Sequence, residues 1–163
     1  MTARQTVRIS LIVGLLVVVT SAAGAQVPHT PTGARSADSA AAAGVVTSFH
    51  NALAAGDSLR ALSLLDTAVV ILESGDQEHL AEYRAHHLAA DIEFARATQT
   101  TSAPLRASVS GDVAWVTGTG ITRGTFRGRA VNSSSAELMV LTRANGQWRI
   151  TAIHWSSHVR RSP

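Results

Sequence analysis

The chain has no cysteine and no lysine, a single tyrosine, and aromatic residues at only 4 % of its 163 positions. Without cysteine there is no thiol nucleophile, no disulfide, no thiolate-bound metal and no Cys on which a lipoprotein anchor could be built. Without lysine, little titrates between histidine and arginine. A net charge of +3 therefore keeps its sign to high pH, and the pI near 10.9 does not signal a basic protein. No Arg-Arg pair precedes the one long apolar run, which excludes a twin-arginine leader. The arginines are scattered and make no basic stripe of the kind that follows a nucleic-acid backbone. Arg123, Arg127 and Arg129 alone are close together, and they read as a solvated hairpin tip. There is no HExxH spacing, no glycine-rich loop opening a helix, and no internal repeat.

What is present begins with an address. Arg4 and Arg8 precede an apolar run from Ile9 to Val19, and Ala23-Gly24-Ala25 is a small-x-small cleavage site. A membrane span needs about 20 apolar residues, and this run is roughly half that. Residues 1–25 are expected to be a Sec-type signal peptide, removed on export to the periplasm or the medium and leaving no stable membrane anchor. Its loss takes two arginines, so twelve face eleven acids and the remainder carries +1. Residues 26–38, with Pro28, Pro31 and Gly33, read as a disordered linker. Residues 39–158 read as one domain and 159–163 as a flexible tail.

Within the domain, Asp38 or Ser39 is expected to cap a first helix whose Ala42, Val45, Val46, Phe49 and Leu53 share one face, ended by Gly56. Asp57 or Ser58 caps a second, with Leu59, Leu62 and Leu65 inward. Thr67 to Leu72 is a strand. Ser74-Gly75-Asp76 is a turn, and Asp76 is expected to cap a third helix from Gln77 to about Ala90 with Leu80, Ala81, Ala85 and Leu88 buried. Ile92 to Val109 reads as a strand broken near Pro104. The strands Val113–Phe126, Ala130–Arg143 and Gln147–Ser157 follow, the last two joined by Asn145-Gly146, the strongest hairpin signal in the chain. Helices first and an antiparallel meander after them indicate an α+β fold with helices on one face of a curved sheet.

Counting back from the turns puts Trp115, Thr117 and Thr119 on one face with Glu137, Met139, Leu141, Trp148, Ile150, Ala152 and His154. That face is apolar except at one end, where Thr119, Glu137 and His154 are expected side by side. The pair Glu137–His154 is either a polar contact at the rim or the polar end of a ligand pocket, with Glu137 orienting His154 as a general base. On the third helix, His79 and His86 fall opposite the apolar stripe. Tyr83 and His87 fall at its border, facing a cleft, with Asp91 one turn beyond His87. His87, His154 and Glu137 would make a two-His-one-carboxylate ligand set, but no fixed spacing supports it, and neither metal nor organic cofactor is assigned.

Several segments together resemble the SnoaL-like branch of the nuclear transport factor 2-like superfamily. They are ALAAGD at 52–57, EYRAHHLAADIEF at 82–94, SGDVAWVTGTG at 110–120, AELMVLTR at 136–143 and WRITAIHWSS at 148–157. The resemblance implies a cone-shaped α+β barrel, with N-terminal helices packed on a strongly curved, mainly antiparallel sheet, a pocket between them and often a homodimer. It spans isomerases, cyclases, dehydratases and members that only associate. No motif matches the bases of the isomerases residue by residue, so Glu137, His154 and His87 would have to serve, with Trp115, Thr119, Tyr83, Met139, Leu141 and Ile150 lining the pocket. The expected ligand is a small, largely apolar molecule, with cofactor-free acid–base chemistry. The alternative is a non-enzymatic association module using Leu138, Val140, Ile153 and Trp155.

Overall fold

The structure, a computed structural model, describes residues 32–161. The expected signal peptide, residues 26–31 of the expected linker and the end of the tail lie outside the described residues.

Helix α1 spans Thr32–Ala55 and so begins inside the stretch read as linker. It buries Ala42, Val46, Phe49 and Leu53, four of the five residues its periodicity singled out, with Val45 packed at the edge. Gly56, at φ +79°, ends it in a Schellman turn. Its N–H reaches the Leu53 carbonyl at 3.0 Å, and the Asp57 N–H reaches Ala52 at 2.8 Å. Asp57 then caps α2, Ser58–Leu64, by accepting from the Arg60 N–H at 2.8 Å. The buried face of α2 is Ala61 and Leu64, whereas Leu59 is exposed.

Strand β1 covers Leu65–Glu73 and β2 covers Asp76–His79. Asp76 thus pairs with Glu73 across a two-residue turn instead of capping a helix. Ser74 and Gly75 both have positive φ (55° and 93°), the hallmark of a type I′ hairpin. The helix starts three residues later than expected. The Glu82 carboxylate reaches back to the His79 N–H at 2.8 Å and fixes the entry. Three contiguous segments form one rod, α3: Leu80–Glu82, a π-helical stretch Tyr83–His87, and Leu88–Ala97. Residues 92–97, expected as strand, belong to it, because Leu88, Ile92 and Ala95 recur at helical spacing against the core.

Strands β3 (Thr98–Ser102) and β4 (Arg106–Ser110) lie along one edge of β5 (Val113–Phe126), separated by the segment that contains Pro104. β6 (Arg129–Ala144) and β7 (Gln147–Val159) complete a seven-stranded sheet. Its order is β2-β1-β7-β6-β5-β3, antiparallel except where β1 meets β7. The sheet is curved and unclosed, and the helices pack on its inner face.

That face is laid out in rungs. Ala114, Leu141, Ile150 and Leu65 pair across β5, β6, β7 and β1; Val116, Met139, Ile153 and Ile71 do so one step on. All eight are buried against α1 and α2 as part of one core. The next rung is Gly118, Glu137, Trp155 and Glu73, where the interior turns polar.

Two one-residue effects move this face away from the expected one. Phe126 pairs with Arg129, so the turn holds only Arg127 and Gly128, both at positive φ (48° and 77°). Trp115 therefore opposes Val140, and Trp115, Thr117 and Thr119 point outward. In β7 the register shifts between Leu141↔Ile150 and Val140↔Ala152, a bulge at Thr151, whose hydroxyl donates to the Val140 carbonyl at 3.2 Å. Beyond it Ile153 and Trp155 turn inward, and Ala152 and His154 turn outward. A single extra residue exchanges the faces of everything after it.

Candidate functional site

At the polar rung β1, β7 and α3 enclose a cavity of about 100 Å³. Ile71 and Glu73 of β1 and Trp155 of β7 form one wall. The β1–β2 hairpin adds Ser74, Asp76 and Glu78, and α3 closes the opposite side with Tyr83 and His87. The π-helical turn brings the last two together. The Leu88 N–H bonds the Tyr83 carbonyl five residues back, so the turn is wider than an α-turn, and residues four apart face the same cavity.

Two hydrogen-bonded pairs order this end. His87 Nδ1 meets Glu78 Oε2 at 2.6 Å, with the ring mostly exposed and the carboxylate largely covered. Tyr83, fully buried, donates its hydroxyl to Asp91 Oδ2 at 2.8 Å. Burial pushes the Tyr83 phenol up, and the Asp91 charge beside it adds to the shift. Burial raises the Asp91 carboxyl too, opposed by the Tyr83 hydrogen bond. Glu73 is raised by desolvation and then by Asp91. The His87 imidazole is raised chiefly by its hydrogen bond to Glu78. Three carboxylates, Glu73, Glu78 and Asp91, are thus gathered around one imidazole, and every resolved shift among these groups favours the protonated form.

One strand along the same rung, Glu137 has a different environment. Its Oε2 is 3.0 Å from His50 Nε2 of α1 and accepts the Trp155 Nε1–H at 3.2 Å. The Trp155 ring stacks on Phe49, centroids 6.3 Å apart. Gly118 makes room for this carboxylate, since a Cβ there would lie 2.6 Å from Glu137 Oε1 and 2.9 Å from Leu105 Cδ2.

The expected site residues therefore divide. Tyr83 and His87 face the cavity as their wheel positions suggested. Asp91 binds Tyr83, not His87. Glu137 lies at the polar end of the inner face but does not meet His154, which the Thr151 bulge turns to the exposed outer face opposite Leu138. Trp115 and Thr119 are on that outer face too. Met139, Leu141 and Ile150 are fully buried in the core and do not line the cavity. Among the described residues no group of three or more His, Asp or Glu is arranged to hold a metal. His50, Glu73 and Glu78 were not among the expected site residues, and Trp155 was expected only on the association surface. His50 sits one residue from the buried stripe of α1, and that position beside Phe49 was the only available signal.

Helices laid on the inner face of a curved, unclosed sheet, with a polar end over an apolar core, define an α+β cone of the NTF2-like class. The SnoaL-like domain matches residues 43–160, and the chain belongs to that family. A crystal structure from Shewanella frigidimarina, provisionally named a ketosteroid isomerase, is 35 % identical, with 71 % of this chain and 94 % of that one covered at a TM-score of 0.69. A Streptomyces avermitilis protein provisionally named a dehydratase of the NTF2-like family shares the fold at 20 % identity, with 77 % and 99 % covered and a TM-score of 0.66. So does the association domain of C. elegans CaMKII, at 22 % identity, 76 % and 98 % covered and a TM-score of 0.62. No curated protein matches the chain.

Proposed function

We propose that this chain is an exported small-molecule-binding protein whose ligand enters the cavity between β1, β7 and α3. Its chemistry there is cofactor-free proton transfer of the isomerase, dehydratase or cyclase type. The observation that carries the reading is the convergence of Tyr83 and His87 on one cavity, with the imidazole held by Glu78 at 2.6 Å. Ile71, Tyr83 and Trp155 offer apolar and aromatic surface to the body of a ligand. His87 and the surrounding carboxylates offer proton donors and acceptors to its polar end. The provisional names of the S. frigidimarina and S. avermitilis proteins accord with this chemistry. Export rests on Arg4, Arg8, the Ile9–Val19 run and Ala23-Gly24-Ala25.

Thermal-shift screening with a panel of small cyclic ketones and lactones, on wild type and His87→Ala, tests the reading. Binding in the cavity is expected to raise the wild-type Tm with at least one compound and to lose that shift in the variant. Equal shifts in both proteins would sink it.

A second reading is favoured by the outer sheet face. Trp115, Val140, Ala152 and Val70 form one rung there, and Thr117, Leu138, His154 and Leu72 the next. Trp115 is 43 % exposed and Leu138 39 %. Across these four strands the two rungs carry no acid and no arginine, with Arg106 of β4 beyond Thr117 at the edge, so a second copy can meet their centre about a twofold axis without burying like charges. The occupant proposed is a second copy of this chain. Leu138 and Val140 lie on this outer face, whereas Ile153 and Trp155 face the interior.

A further inference from the structure

The cavity between β1, β7 and α3 is unevenly charged, and its charge narrows the ligand. Three of its eight lining residues are carboxylates, Glu73, Asp76 and Glu78. No arginine lines it, and the chain has no lysine. The one basic group, the His87 imidazole, is already engaged by Glu78 at 2.6 Å. Its charge, when present, offsets Glu78 and nothing more. Among the described residues the ion pairs of the fold leave Glu73 and Asp76 without a cationic partner.

These two carboxylates are directly opposite each other across the Ser74-Gly75 turn. Like charges so placed repel and destabilise a hairpin. Asp91, held by Tyr83 on the far side of the ring, adds to the desolvation that raises the Glu73 carboxyl. Nothing in the chain relieves this end of the cavity, whereas a cation from solution would. Glu73 and Asp76 are exposed and flank the mouth, while Ile71 and Tyr83 are buried and Trp155 partly so. An ammonium group seated between the two carboxylates turns its carbon body onto Ile71 and the aromatic rings, surfaces that suit both an apolar body and a cation. An anionic ligand meets three like charges instead.

We infer that the cavity selects small organic cations, amines with an apolar body, with Glu73 and Asp76 holding the ammonium group and Ile71, Tyr83 and Trp155 holding the body. The inference rests on the cavity proposed above as the ligand site and adds the charge of the ligand.

Benzylamine, benzyl alcohol and benzoate share a ring and differ in charge, and they are the probes. Binding to the purified protein is titrated by NMR through the Trp155 indole N–H, which Glu137 holds in place. At about pH 7.5 benzylamine is expected to bind about tenfold more tightly than benzyl alcohol, and benzoate more weakly than either. The titratable groups facing the site are Glu73 of β1, Asp76 and Glu78 of β2, and His87 and Asp91 of α3; β7 adds none to the cavity lining. At about pH 5 protons take up part of their charge, so the preference for benzylamine should shrink while benzyl alcohol binds as before. The double variant Glu73→Gln/Asp76→Asn should lose the preference, bind benzyl alcohol like wild type, and keep or raise the Tm, because the repulsion is gone. A carboxylate pair retained for structure would lower the Tm when removed.

Equal wild-type affinities for benzylamine and benzyl alcohol would overturn the inference. So would a Trp155 signal that benzylamine does not move, or a preference that survives the double variant. None of these outcomes touches the cavity reading, which stands or falls on the dependence of neutral ligands on His87. Magnesium chloride is the last probe. A Trp155 response to Mg²⁺ at lower concentration than to benzylamine would make this a metal-ion site and reject the organic cation.

Discussion

Gly118 is the smallest residue on the polar rung and carries the sharpest constraint there. A methyl group at 2.6 Å from Glu137 Oε1 must push that carboxylate away from His50 and Trp155. Gly118→Ala is expected to cost about 1–3 kcal/mol, as crowding of a packed interior does. Urea denaturation measures the cost, and Trp155 fluorescence reports the displaced indole. Tyr83→Phe is a subtler change that keeps the ring and removes the donor to Asp91. Leaving that partly buried carboxylate without its donor should cost about 1–3 kcal/mol, whereas Asp91→Asn, which can still accept, should cost less.

His87 sets a pH dependence whose sign is fixed. Its raised value means the folded state binds the proton more tightly. The stability this confers is complete below about pH 6.5, the ordinary imidazole value, and is lost as pH rises through the folded value. Asp91 and Glu73 are raised too, so they act in the same direction from about pH 4 upward. Tm is therefore expected to fall between about pH 5 and about pH 8, and Glu78→Gln should flatten the upper part of that fall. The His87 contribution is at most about 1 kcal/mol, because its ring is mostly exposed and screened by solvent.

At the scale of elements, the structure shows which signals in a sequence are local and which are not. The stripe of α1, the stop at Gly56, the Asp57 cap and the Asn145-Gly146 turn each depend on a few neighbouring residues, and each formed as expected. The Ser74-Gly75 turn is as local and formed as expected, but Asp76 after it pairs with β1 instead of capping a helix. Nothing within Asp76–His79 shows that β1 will offer it a partner. The bulge at Thr151 left no mark in composition, and it moved His154 from the expected site to the surface. Tyr83 and His87 were legible because a helical wheel survives a π-turn; His50 was not, because its partner lies 87 residues away. Deleting Thr151 tests the bulge. Ile150 would then run directly into Ala152, which already faces outward, so Ile153 and Trp155 should stay inside. Expected is a folded protein, destabilised by about 1–3 kcal/mol through lost local packing, with an unchanged Trp155 emission maximum.

At the scale of the molecule, the two faces of the sheet differ. The inner face carries the core and the proposed ligand site, and the outer face carries the patch proposed for a second copy. Trp115→Asp and Leu138→Asp should convert the associated form to a monomer, read by light scattering, without altering the Tm shift produced by cavity ligands. A wild-type protein that is monomeric at all concentrations would rule the association out. The family and the cone were legible in the order of elements. The site was less so, because it is assembled from α1, α3 and three strands through registers that a one-residue change redirects.

The parallel contact between β1 and β7 has a temporal meaning. β7 is the last strand made, yet it lies between β1 and β6 in the middle of the sheet. Leu65 cannot meet Ile150, nor Ile71 meet Ile153, until β7 has been made. Contacts so distant along the chain form late, after a large loop-closure cost. The sheet is therefore two unjoined halves, β2-β1 and β6-β5-β3, until β7 emerges to join them.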